Sequence, residues 1–142
     1  MKDKFFLDTN ILVYSFDKLN SDKQQIAQGL IQDALSGQHG CISSQVVQEF
    51  LNVAARKFAP PLSFKDSQIY LTTVLEPLCE IFTSIELYHQ ALELSARWQY
   101  SFYDALIIGA ALMTDCNILY TEDLQSGQKI QNLRIVNPFQ SI

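Results

Sequence analysis

Cysteine is scarce in this chain and carries no pairing pattern. Cys41, Cys79 and Cys116 are odd in number, far apart and set in apolar stretches, so they read as reduced core residues rather than a disulfide framework. Histidine is scarcer still, and His39 and His89 are too isolated for a zinc-binding spacing. No proline, glycine or serine tract and no internal repeat occurs, which together with a hydrophobic fraction of 48% excludes linkers and disorder. Long apolar runs are missing too. The run "ALIIGAALMT", 105–114, is about half of the roughly 20 residues a membrane span needs. Lys2 and Lys4 precede an apolar patch, but Asp8 interrupts it too early for a signal peptide. The chain is therefore expected in the cytoplasm, away from membranes. Basic residues are outnumbered, ten against fifteen acidic ones, and the resulting net charge of −5 argues against a surface that grips polyanions all over. A local grip stays open.

What is present is a sequence of 142 residues, the size of one ordinary domain, in which short apolar β-like runs alternate with longer segments of helical period. That alternation predicts an α/β domain, 1–142, on a mostly parallel sheet. Strands are expected at Lys4 to Leu7, around Gly40 to Ile42, and at Leu78 to Phe82, Asn117 to Tyr120 and Leu133 to Val136. Helices are expected from a Ser21 cap to about Ser36, from Ser43 or Ser44 to about Phe58, from a Ser63/Asp66 start, from about Ser84 to Tyr100, and from Tyr103 to Thr114.

Four carboxylates stand out on this frame. Asp8 follows the first strand directly, and ligands of open α/β sheets bind beyond the carboxyl ends of the strands. Its other reading is a cap on the turn at Thr9 and Asn10. Glu49 falls at the edge of the apolar face made by Val46, Phe50, Val53 and Ala54, and Gln45, Val46, Asn52 and Val53 at i±3 and i±4 supply no cation to pair with it. Otherwise it reaches out to water. Asp104 is the one charge in "YDALIIGAALMT", a segment apolar around its whole circumference, where the alternative is an N-cap. Asp123 in "NILYTEDL" again follows an apolar strand, with Glu122 beside it; the alternative is an acidic turn. Were the four to converge, like charges would repel until some protonated or a cation neutralised them, and oxygen-only donors select magnesium or manganese. Removing these four charges takes the chain from −5 to −1, so most of the excess acidity would belong to the site.

The stretches "FLDTNILVY", "ISSQVVQEF", "YDALIIGAA" and "LYTEDLQSG" resemble, in order and spacing, the motifs of PIN domains, most closely those of VapC-type toxin nucleases, and "NLRIVNPF" resembles a C-terminal strand frequent among bacterial members. The resemblance covers essentially the whole chain. It implies a three-layer fold, a mostly parallel sheet flanked by helices, and a magnesium- or manganese-dependent endoribonuclease of a type II toxin–antitoxin pair. Position by position it implies Asp8, Glu49, Asp104 and Asp123 as metal-binding and catalytic acids, with Asn10 and Thr121 holding carboxylates in place. Partners so implied are RNA and a cognate antitoxin. Arg56 and Lys57, about two turns or roughly 10 to 12 Å beyond Glu49 on its helix, are candidate phosphate contacts, as is Arg97. Ile69, Tyr70 and Leu71 suggest more apolar surface than one sheet face covers, hence a homodimer. Two other classes fit the same stretches. A binding module would keep the fold without turnover, and a haloacid-dehalogenase-like phosphatase would want a second Asp where Asn10 stands.

Overall fold

The computed structural model describes residues 3–37 and 39–140; Lys2, weighed above, lies outside them. Six strands form one sheet: β1 (Phe5–Leu7), β2 (Gly40–Ser43), β3 (Cys79–Ile81), β4 (Ile118–Tyr120), β5 (Lys129–Ile130) and β6 (Leu133–Val136), in the order β3-β2-β1-β4-β6-β5. All neighbours are parallel except β5 and β6. Phe5, Phe6 and Leu7 point alternately to opposite faces, yet all three are buried, so both faces of the sheet are covered. The helices that cover them are α1 (Thr9–Tyr14), α2 (Ser21–Leu35), α3 (Ser44–Arg56), α4 (Phe64–Tyr70), which runs on through a π-helical turn at Leu71–Leu75 into the short α5 (Glu76–Leu78), then α6 (Ile85–Trp98) and α7 (Phe102–Met113). The expected fold class, an α/β chain with a mostly parallel sheet, is the observed one.

Serine hydroxyls start most of these helices. Ser43, Ser63, Ser84 and Ser101 each accept a hydrogen bond from the backbone N–H three residues on. The expected cap at Ser21 is displaced by one residue, to Asn20, which makes no side-chain capping bond. Two elements were not legible in the sequence. The apolar "NILVY" after Asp8, to which no element was assigned, coils into α1, and β5, two residues long, was not anticipated.

The core is apolar, with Phe6, Leu7, Ile11, Leu12, Ile42, Phe50, Ile108, Leu119 and Ile135 fully buried. Cys41 and Cys116 are buried free thiols, as expected, and Cys79 is half-buried. Among the described residues no helix is long and apolar enough to cross a membrane. The connectivity matters most for function. After β1 the chain builds outward through β2 and β3, then returns to place β4 on the other side of β1, so the carboxyl end of β1 is where the strand order reverses. Such a reversal leaves a crevice beyond the strand ends.

Candidate metal-binding site at the carboxyl edge of the sheet

Asp8 leaves the end of β1 and sits at this reversal. It is 7% exposed and caps α1: its Oδ1 accepts from the Thr9 backbone N–H at 2.7 Å. The capping reading is thus correct, and it does not exhaust the residue. Oδ2 accepts from the Thr121 hydroxyl at 2.8 Å, and Thr121, fully buried, stands at the end of the neighbouring strand β4. Burial pushes the Asp8 carboxyl up to about 6 despite those two bonds, and the charges of Asp123 and Glu49 push in the same direction.

The turn after β4 is tied to α1 by Asn10. Its amide donates to Asp123 Oδ2 at 3.1 Å and to Thr121 Oγ at 3.3 Å, while its Oδ1 accepts from the Glu122 backbone N–H at 3.3 Å. Thr121 Oγ also accepts from the Asp123 N–H at 3.1 Å. Asp123 itself is exposed.

Glu49 is half-buried on α3, on the apolar-face edge where the helical period places it. The partner missing from its own helix comes partly from α1. The Thr9 hydroxyl donates to Glu49 Oε1 at 2.6 Å, and the Gln45 amide, one turn back, donates to Oε2 at 3.2 Å. Gln45 also donates to the Tyr103 carbonyl at 3.4 Å, which draws the start of α7 toward Glu49. Asp104 follows Tyr103. The four-residue connection from α7 to β4 returns the chain to the amino edge of the sheet, so the first turn of α7 lies at the carboxyl edge, where its Tyr103 carbonyl meets Gln45. Asp104 is not the N-cap. Ser101 is, accepting from the Asp104 N–H at 3.1 Å, and among the described residues the Asp104 carboxylate has no hydrogen-bond partner.

Hydroxyls and amides bridge Asp8, Glu49 and Asp123, while among the described residues no hydrogen bond joins the Asp104 carboxylate to them, and no three acid, imidazole or thiol side chains come together as a ready-made metal-holding group. The donors are nonetheless all oxygen, and one carboxylate is buried within reach of two other charges. That set suits a hard divalent cation, which would relieve the repulsion that burial of Asp8 imposes. Thr9 and Gln45 were missed in the sequence reading. The Gln45–Glu49 spacing of i,i+4 was the available signal for one of them; for Thr9 there was none beyond its adjacency to Asp8.

Arg56 and Lys57 are exposed at the far end of α3, which runs back from the carboxyl edge. Arg97 lies elsewhere, its guanidinium 5.9 Å from the Trp98 ring, in a cleft of about 510 Å³ that Glu86, Glu93 and Gln131 also line. Among the described residues none of the three cations touches the acids.

A family model for the PIN domain matches residues 5–128. The chain belongs to the PIN domain family. Among curated proteins, none matches its sequence. PIN domains are generally nucleases, and those nucleases typically use divalent metals. Two solved structures share the fold. A toxin–antitoxin complex from Klebsiella pneumoniae superposes with a TM-score of 0.69 at 20% identity, covering 96% of this chain and 98% of that one. VapBC2 from Rickettsia felis, bound to a DNA fragment from its promoter, gives 0.59 at 22% identity, covering 92% and 96%. At those identities the likeness is one of fold. Its near-full coverage on both sides means that this PIN domain has about the length of its structural neighbours.

Proposed function

We propose that this PIN domain is a magnesium- or manganese-dependent endoribonuclease and the toxin of a type II toxin–antitoxin pair, folded as a single domain over 1–142. The observation that supports this most is the meeting of Asp8, Thr121, Asn10 and Asp123 where the strand order reverses, with Glu49 joined to the same helix through Thr9. Asp8, Asp104 and Asp123 would hold the cation, with Glu49 as a further ligand or as the base that orients water. When bound, a divalent ion lowers the pKa of a coordinated water and stabilises charge on the leaving oxygen of a phosphodiester.

The chain's own groups set the rest of the chemistry. Thr9 and Gln45 fix both oxygens of Glu49, which leaves its outer lone pairs to accept a proton from an attacking water. Thr121 and the Thr9 N–H hold Asp8 in one rotamer, and Asn10 does the same for Asp123. Arg56 and Lys57 are proposed to meet phosphates flanking the scissile one.

The antitoxin partner is proposed from the toxin–antitoxin complexes that share the fold. The test is an assay with and without magnesium on generic RNA and on p-nitrophenyl phosphate, with pull-down of the neighbouring reading frame's product. RNA cleavage that needs the metal, no turnover of the small ester, and a bound partner are expected. Turnover of the ester alone would indicate a phosphatase, and RNA binding without cleavage a binding module.

A further inference from the structure

Two acids, Glu122 and Asp123, stand side by side after β4, and their carboxylates are held by different partners. Around Glu122 the structure builds a holding site that the proposed mechanism does not use. Tyr14, the last residue of α1, donates its hydroxyl to Glu122 Oε1 at 2.6 Å, and Lys23, in the first turn of α2, donates to Oε2 at 2.6 Å. The Lys23 ammonium also reaches the Tyr14 hydroxyl at 3.3 Å and lies 4.6 Å from the Tyr14 ring centroid and 5.5 Å from that of Phe139. Those rings meet edge to face at 5.0 Å. Both oxygens of Glu122 are therefore taken, by donors from two helices, and the cation that takes one of them is itself seated on two aromatic rings. In the same turn, Asn10, one helical turn before Tyr14 on α1, accepts from the Glu122 backbone N–H and donates to the Asp123 carboxylate.

We infer that Lys23 and Tyr14 are positioning residues: they anchor Glu122 away from the acids, so that the turn after β4 presents Asp123 to Asp8. The inference rests on the nuclease reading for its consequence, and on the hydrogen bonds alone for the pairing. A salt bridge with side chains 29% and 28% exposed contributes a small but measurable coupling to stability. Its effect lies in direction. Without Lys23, the Glu122 carboxylate becomes a second, mobile acid next to Asp123, free to swing toward the site and compete for its place.

The experiment uses Lys23→Met, Lys23→Arg, Tyr14→Phe, Glu122→Gln and the Lys23→Met/Glu122→Gln double variant of the full chain, with three readouts. Calorimetric manganese binding without RNA should weaken about 10-fold in Lys23→Met and recover in Lys23→Arg, in the range found when outer partners of metal ligands are removed. RNA cleavage should show kcat falling while KM holds, because the substrate contacts are untouched. Tyr14→Phe should give an effect of the same kind and smaller. Melting in EDTA should show coupling, the double variant losing less than the two single variants together. Manganese affinity and kcat unchanged in Lys23→Met would overturn the positioning role, and additive melting losses would overturn the pairing. Wild-type protein that neither binds manganese nor cleaves RNA would remove the nuclease reading and the positioning role with it, while the melting cycle would still decide the pairing.

Discussion

Asp8 does two jobs with one carboxylate, and they pull against each other. As a cap it accepts from the Thr9 N–H; as a buried acid within reach of the charges of Glu49 and Asp123 it titrates near 6 rather than 3.8. Its folded value lies above its unfolded one, so its favourable contribution is present in full below about pH 4 and is lost as pH rises through 6. Without metal, the fold gives up as much as about 3 kcal/mol over that window. Melting temperature in EDTA should fall between pH 4 and 6.5 for wild type, more steeply than for Asp8→Asn; parallel curves for the two proteins would rule this out. Asp104 separates differently. Since Ser101 makes the cap, Asp104→Asn should abolish RNA cleavage while costing no more than the helix-dipole contribution, about 0.3 to 1 kcal/mol. Ser101→Ala should instead cost about 1 kcal/mol in melting. An Asp104→Asn protein that melts far lower, with activity lost only in proportion, would make Asp104 structural. As candidates the four acids were legible because Asp8 and Asp123 directly follow apolar strands, Asp104 is the one charge of an apolar segment and Glu49 lies at the edge of an apolar helix face. Thr9 and Gln45 were not, since an uncharged polar residue beside or one turn from an acid looks like ordinary surface.

Among the elements, the long helices and the apolar strands β1 to β4 and β6 were legible, and α1 and β5 were not. Six residues complete fewer than two helical turns, too few for Ile11 and Leu12, both fully buried, to show a helical period. The cap at Asp8 decides the matter locally. Tyr70 shows a similar effect of tertiary packing. Expected on the surface with Ile69 and Leu71, it is half-buried instead, its ring 4.8 Å from that of Phe50 and 5.2 Å from that of Phe16. The Tyr70 hydroxyl is buried without a hydrogen-bond partner among the described residues, while the nearby Ser15 hydroxyl donates to the Leu12 carbonyl. An unpaired buried hydroxyl costs more than none, so Tyr70→Phe should hold or raise the melting temperature; a clear drop would reveal a partner for that hydroxyl. At the far end of α3, Arg56→Gln with Lys57→Gln should raise KM for RNA with little change in kcat, and flatten the log–log salt dependence of binding by about one to two. Unchanged binding with a lower melting point would make the pair a helix-end feature.

At the scale of the whole molecule, the alternation of apolar runs and helical periods led directly to the parallel sheet, because buried parallel strands leave continuous apolar stretches in the sequence. The order of the strands was not readable in that pattern, and it is the order that places β4 beside β1 and brings the ends of both strands together. Phe64 and Ile69 remain 78% and 50% exposed, and a homodimer that covers them is expected. Sedimentation should show it at tens of micromolar, and a monomer there would remove the idea. The central claim is that the acids at this edge form the site of metal-dependent RNA hydrolysis. The most direct measurement is RNA cleavage by EDTA-stripped protein as magnesium is restored, for wild type and Asp8→Asn at equal folded concentration. Wild type should be silent without metal and regain cleavage as magnesium rises, with Asp8→Asn silent throughout. Cleavage that persists in EDTA, or equal restoration of both proteins, would contradict it.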